Sequence, residues 1–429
     1  MGVVLQSVPF DPAEAKATLV ELPQRPAVFA LYGADPKDEP YIGRTPNLRG
    51  RLERLLQPSP KHPRRLQLAG RVRRIAWQLT GSEFESLLTQ FSLLEDIYGP
   101  KSLERMHLRA PAFIRYLGGN PYPRIVVTNK PSQREAEWAY GPFASRAAAE
   151  RFSEEALKLF LLRRCTDDLD PNPSHPGCVY SEMKMCLAPC YKGCTDERYA
   201  VEAEAVRDFL ATRGESKLVT LRTQREQASA NLEFESAAAL HAQVQKIEGV
   251  QALAPELVQP LSKLRAVILQ ASANPDEVAV FLFENGGLRG PVGFSTIGMR
   301  IQNERSGSSS LFAQPMAIEP LLEQPPLGDL ASQPGTGATL IETPAKASRS
   351  VLEARLEGVL ATLSAPAEPP SSTVRQGHLA LLKRWYYRPE VRRVGEICFP
   401  DAEGYWPLKS ILRSVGRVAA KSVAAAKPE

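Results

Sequence analysis

The chain has 429 residues, 43% apolar and 24% charged, with a net charge of only +5. That length exceeds one ordinary core and predicts two to four domains, and the apolar fraction excludes a wholly disordered chain. No run of about 18 apolar residues and no basic-then-apolar leader occurs. A cytoplasmic protein with no membrane association is expected, whose six cysteines serve metal or redox chemistry instead of disulfides.

Taken in chain order, residues 26–97 read as strand, strand, helix, strand, helix. "AVFALYG" and "EPYIG" are short apolar runs around a polar turn, a hairpin pattern. Leu48, Leu52, Leu55 and Leu56 recur at helical spacing, and "RVRRIAWQL" alternates partly like a strand. "SEFESLLTQFSLLEDIY" places Phe84, Leu87, Leu88 and Phe91 on one helical face, and Gly99-Pro100 ends it. Then follow a strand "RIVVT", a turn "YGPFAS", a helix from Ser145, and a cysteine-rich loop ending at Cys194. Residues 196–250 contain no proline and read as helix, with one break near Arg213-Gly214. "LRAVILQAS", "EVAVFLFE" and "LRGPVGFST" form a three-strand meander, the last two strands joined at Asn285-Gly286-Gly287. Ser, Pro, Gly and Ala dominate residues 303–373, a linker composition.

Residues 44–74 carry ten basic side chains against one acid, Glu53, a density that neutralises phosphates or merely decorates a solvated face. The order Pro26-Ala27-Val28-Phe29, Tyr41-Ile42-Gly43, Arg44, Asn47-Leu48, Arg51-Leu52 and "SEFESLL" around Glu85 resembles the GIY-YIG endonuclease domain. More closely, it is similar to the N-terminal domain of the UvrC family of excinucleases. The resemblance implies phosphodiester hydrolysis with a single Mg²⁺ or Mn²⁺ held by Glu85. It also implies transition-state charge stabilised by Arg51, water positioned by Tyr41, and Arg44 in the slot of a family lysine. Arg49, Arg54, Arg64 and Arg65 are the expected DNA-backbone contacts. Three positions depart from the family: Phe29 replaces a tyrosine, no asparagine follows the helix, and Gln90 stands where a second glutamate usually follows Glu85. Ser82-x-x-Glu85 is also a capping box, in which Glu85 merely satisfies a backbone donor.

Cys165, Cys178, Cys186, Cys190 and Cys194 fall within 30 residues of one another. Thiolates so gathered hold zinc or an iron–sulfur cluster. "FLLRRC…HPGCVYSEMKMCLAPCYKGC", after "AYGPFAS", closely resembles the UvrC-family cysteine segment. That resemblance implies a [4Fe–4S] cluster, with Zn²⁺ as the alternative, on Cys165, Cys178, Cys186 and Cys190. "LEFESAAALHAQV" resembles the family's UVR motif, a helical hairpin that docks on the damage-loading excinuclease partner, a UvrB-like protein. Leu232, Phe234, Ala237 and Ala238 would be its contacts. An ordinary helical hairpin packed on its own domain is the simpler alternative.

The expected architecture is α+β and multidomain. It comprises a GIY-YIG-type domain with a three-stranded sheet at 20–110, a cysteine-rich domain at 111–196, and a helical region with the UVR hairpin at 197–255. A β-meander at 260–300, a mostly disordered linker at 303–373 and a basic, aromatic segment at 374–429 complete it. Trp385 in that last segment is assigned to a core. The C-terminal nuclease and helix-hairpin-helix modules of full-length relatives are not visible. The implied function is that of a nucleotide excision repair endonuclease, a component that cuts damaged duplex DNA together with its partner. The alternative is a catalytically weakened adaptor that keeps the cluster and the hairpin.

Overall fold

The structure is a computed structural model of the chain and describes residues 5–35, 37–57, 68–119, 121–129, 139–166, 169–299 and 347–426. Among the described residues it is α+β, with three four-stranded sheets. None of the described helices is long and apolar enough to cross a membrane.

The first sheet is built from β1 (Gln6–Pro9), β2 (Ala27–Tyr32), β3 (Tyr41–Thr45) and β4 (Arg74–Leu79), in the order β1-β4-β2-β3 with antiparallel pairing. The expected three strands thus gain a fourth at the edge, because Gln6–Pro9 pairs with β4; the unit starts well before residue 20. Helices α1 (Ala15–Glu21) and α2 (Leu48–Leu56) cover the sheet face that carries Ala27, Phe29, Leu31 and Trp77. In α2, Leu48, Leu52, Leu55 and Leu56 are all buried, and Asn47 caps it by accepting from the Gly50 N–H at 2.9 Å. The other sheet face meets α3 (Glu83–Tyr98), which is followed by the short α4 (Ser102–Arg105).

The second sheet comprises β5 (Ala112–Leu117), β6 (Arg124–Thr128), β7 (Ala139–Phe143) and the two-residue β8 (Gln259–Pro260), ordered β6-β5-β7-β8. It packs with α5 (Arg146–Leu157) and α7 (Asp196–Ala211) in one core, into which Tyr199, Phe152 and Phe209 are fully buried. Between these helices lies the cysteine loop, with α6 (Val179–Glu182). After a left-handed break at Arg213 and Gly214 (φ 55° and 90°), α8 (Glu215–Ala230) and α9 (Phe234–Gln251) form a hairpin.

The third sheet joins β9 (Ala266–Ala271), β10 (Glu277–Glu284) and β11 (Gly287–Ser295) to the distant β12 (Glu396–Cys398), which pairs with β9. Asn285 and Gly286 take φ of 53° and 79°, the left-handed pair that a tight hairpin turn requires. One face, with Val267, Leu269, Val278 and Val280, packs on α10 (Arg349–Ser364) and α12 (Leu408–Ala426). The opposite face, with Ile268, Phe281 and Phe283, packs on α11 (Ser372–Tyr386) and on α3 of the first unit.

Two expected boundaries are therefore corrected. The linker at 303–373 contains helix α10, whose Leu356, Val359, Leu360 and Leu363 are buried, so apolar periodicity outweighs composition there; residues 303–346 lie outside the described residues. The meander and the C-terminal segment are one sheet domain, because β12 completes the meander's edge and α10, α11 and α12 cover its faces. Trp385 is 4% exposed and its indole N–H donates to the Val394 carbonyl at 2.9 Å, a core role.

Helix α3 holds the first and third units together. Phe84 meets Phe281 edge-on at 5.3 Å and Trp385 at 5.4 Å between ring centroids. Gly377 of α11 rests on Phe91 so closely that an added Cβ would lie 2.1 Å from Phe91 Cζ.

Candidate functional site: arginine face, buried glutamate, cysteine pocket and hairpin

Strand alternation and helix placement decide which predicted residues share a site. Tyr41 and Gly43 of β3 lie across from Leu31 and Phe29 of β2, so they share the α2 face of the sheet. There Arg51 of α2 points Nη2 at the Tyr41 hydroxyl, a long contact of 3.5 Å. Phe29 is fully buried, with its ring 6.1 Å from that of Tyr41. Gly43 is dictated by that ring, since a Cβ there would lie 2.8 Å from Phe29 Cζ. Phe29 thus packs, and supplies no proton or hydrogen bond to the Tyr41 site.

Arg44 alternates to the opposite face, toward α3, and forms an ion pair with Glu83 at 3.5 Å. Glu85 has a different environment again. It is 4% exposed, and its Oε2 accepts from the Gly81 N–H at 2.7 Å, while Ser82 Oγ accepts from the Glu85 N–H at 3.1 Å. Burial raises its carboxyl to about 7, against a smaller downward effect of the Gly81 N–H. The carboxylate borders a cavity of about 320 Å³ between the first and third units, lined also by Gln6, Trp77, Gln78, Asn274 and Glu277. The β9–β10 turn closes this end: a Cβ on Gly81 would meet the Ser272 carbonyl carbon at 2.2 Å, and Arg25 donates to the Ala273 carbonyl.

The expected grouping of Glu85 with Tyr41 and Arg51 is therefore not formed. Tyr41 and Arg51 lie on the α2 side of the sheet, whereas Glu85 belongs to the helix on the other side and caps its own N-terminus. Gln90, two turns beyond Glu83, shares the α3 face turned toward β3, and an amide there provides no carboxylate for a cation. These residues do not fit a Mg²⁺ or Mn²⁺ centre built on Glu85. Of the expected DNA contacts, Arg49 donates through Nε to the Leu22 carbonyl at 2.7 Å, and Arg54 to the Gly50 carbonyl at 2.9 Å. Arg64 and Arg65 lie outside the described residues.

The cysteine loop brings Cys165, Cys178, Cys186 and Cys190 around one small cavity, which Arg163, Arg164, Leu169, Tyr180 and Pro189 also line. Cys194 is not among the lining residues and sits instead beside Asp196 and Arg198. Burial, followed by the neighbouring thiols, pushes Cys186 up to about 11, although the Ala188 N–H donates to its Sγ at 3.3 Å. Arg163, only 1% exposed, aims Nη1 at Cys165 Sγ at 3.6 Å and is held through Nε by the Tyr122 carbonyl. Lys184, Ala188 and Lys192 all adopt left-handed backbone, at φ of 54° to 57°, costing about 1 kcal/mol or more each. Among the described residues no three His, Cys, Asp or Glu side chains gather tightly enough to hold a single ion; the thiols border the cavity instead. Buried cationic and N–H donors beside sulfur are nonetheless the surroundings that thiolates need, so the donor set fits a thiolate-ligated group. Sequence reasoning quoted Arg163 within "FLLRRC" but gave it no role, because its place two residues before Cys165 does not show that it turns inward.

In the α8–α9 hairpin the base is core and the tip is bare. Leu218, Leu221, Val244, Ile247 and Val250 are buried in the second unit. Leu232 and Phe234, two of the expected partner contacts, are 71% and 68% exposed at the tip. Ala237 is half-buried and Ala238 exposed.

Residues 113–209 match the family model described as the UvrC/Cho excinuclease middle domain, and residues 215–250 match the UvrB/uvrC motif. UvrABC system protein C of Alcanivorax borkumensis is 31% identical over 242 residues, 56% of this chain and 39% of that protein. The proteins of the same name from Aliivibrio fischeri and Shigella dysenteriae serotype 1 are 27% and 29% identical over 239 and 242 residues. Each match covers 56% of this chain, and 39% and 41% of those proteins respectively. No solved structure matches the chain. Residues 113–250 are thus similar, in family order, to the UvrC middle domain and the UvrB/uvrC motif, and the chain spans about two fifths of the length of the relatives it matches.

Proposed function

We propose that this chain is a UvrC-type component of nucleotide excision repair that docks a UvrB-type partner on the tip of the α8–α9 hairpin. One observation carries the reading: Leu232 and Phe234 stand 71% and 68% exposed at the tip of a hairpin whose base is packed. Large apolar side chains side by side in water are what a helical docking motif presents to its partner. Cys165, Cys178, Cys186 and Cys190 would hold the prosthetic group, a [4Fe–4S] cluster that fits thiols bordering a cavity better than a single Zn²⁺ does. Such a group would cross-link a loop that has few apolar contacts of its own. Arg163 would place a guanidinium donor 3.6 Å from Cys165 Sγ, beside the group.

The reading is tested by titrating the protein against a UvrB-type partner. Phe234→Ala and Leu232→Ala are expected to weaken binding about tenfold or more while leaving thermal unfolding unchanged. Undiminished binding by both variants refutes the docking assignment.

A second reading, incision of a damaged duplex by the first unit, is favoured by the contact between Tyr41 and Arg51. Glu85 does not complete that centre, so no metal-dependent step is assigned to it. Cutting of lesion-bearing duplex by the wild-type protein with its partner and Mg²⁺ or Mn²⁺, abolished in Tyr41→Phe, would establish incision. An absence of cutting leaves the adaptor role.

A further inference from the structure

Glu83, at the first position of α3, is the meeting point of two distant parts of the chain. Arg388, just beyond α11, grips it with both terminal nitrogens, Nη1 to Oε2 at 2.7 Å and Nη2 to Oε1 at 2.9 Å. Arg44 of β3 reaches it from the other side at 3.5 Å. Arg384, exposed at the end of α11, adds a third positive charge near the same carboxylate. Two guanidinium groups thus contact one carboxylate and a third lies near it, an excess of two positive charges on a surface where Glu83, Arg44 and Arg388 are 45%, 37% and 27% exposed.

We propose that Arg44, Arg384 and Arg388 form a binding face for the phosphodiester backbone of DNA, shared between the first and third units, in which Glu83 occupies a phosphate position. The paired contact of Arg388 with Glu83 has the fork geometry by which arginine holds a phosphate. A half-exposed ion pair contributes little to stability, so exchanging the carboxylate for a phosphate is easy. Burial of Trp385 and Phe84 against each other fixes α11 on α3, so the arginines are held in place before any ligand arrives. The proposal rests on the reading of this chain as a DNA-handling protein, and it enlarges the basic surface beyond residues 44–74.

The test is fluorescence anisotropy of a labelled 20-base-pair duplex (a length set by the probe alone, about two helical turns) with the full chain over a salt series. Each lost phosphate contact lowers the salt slope by about 0.9, so Arg384→Gln/Arg388→Gln should lower it by about 1.8. Arg384→Gln alone, at an exposed position, should lower it by about 0.9 without changing the melting temperature. Glu83→Gln should tighten duplex binding, because it removes the competitor from two arginines. A structural staple predicts the reverse pattern: Glu83→Gln lowers the melting temperature and leaves binding unchanged. Wild-type binding with no change of slope in Arg384→Gln and the double variant overturns this face and leaves the excision-repair reading standing. No duplex binding by the wild-type protein overturns this face, while partner docking through Phe234 is still measured separately.

Discussion

Glu85→Gln separates the roles that sequence and structure give to this residue. The buried carboxyl is raised from 4.5 to about 7, and the fold therefore favours the protonated form. Its stabilising contribution is complete below pH 4.5 and is lost as pH rises through about 7. The difference of the two values corresponds to about 3 kcal/mol once the group is fully ionised, lost at about 1.4 kcal/mol per pH unit between them. A glutamine keeps an oxygen to accept from the Gly81 N–H and carries no charge. Urea unfolding at a series of pH values from 5 to 8 is the assay. The wild-type protein should lose stability relative to Glu85→Gln as pH rises, and the variant should be the more stable protein at pH 8. Parallel pH profiles, or a variant less stable than the wild type at pH 8, would refute the buried-acid reasoning.

Further outcomes follow from packing and from the cysteine pocket. Gly377→Ala gains roughly 1 kcal/mol of helix propensity but drives a methyl into Phe91. Overpacking of that kind costs about 1–3 kcal/mol, so a lower melting temperature is expected, and a higher one would show that α11 is not seated on α3 in this way. Cys186→Ser should abolish bound iron by elemental analysis of protein purified without oxygen. Cys194→Ser should retain it, since Cys194 does not line the cavity; equal loss in both would reassign the ligand set.

Much of the local structure was legible along the chain, because it depends on neighbours in sequence. The leucine spacing of α2, the Asn285-Gly286 turn, the break at Gly214 and the packed position of Trp385 all obey rules of a few residues' range. Composition misled at 349–364, where small and polar residues surround a sparse but regular apolar stripe that α10 buries. The hairpin left two readings open, a docking motif or a pair packed on its own domain, because periodicity cannot tell a face buried by its own domain from one left for a partner.

The candidate nuclease centre shows the same limit more sharply. Alternation along β3 tells that Tyr41 and Arg44 point to opposite sides, and helical spacing tells that Glu83 and Gln90 share a face. Neither says on which side of the sheet α2 and α3 will lie, and that choice separates Tyr41 and Arg51 from Glu85. Helix α3 is buried on much of its circumference because it serves two cores, with nine of its residues buried, Glu85, Ser86 and Thr89 among them. Its second partner, formed by β10 and α11, is remote in sequence. Residue order alone was enough for many of the elements, though not for β1 or α10, and for the gathering of cysteines and the family resemblance, all of which rest on short-range pattern. Which charges meet was settled by long-range packing, because contacts among Arg44, Glu83 and Arg388 depend on docking two sheets against one helix.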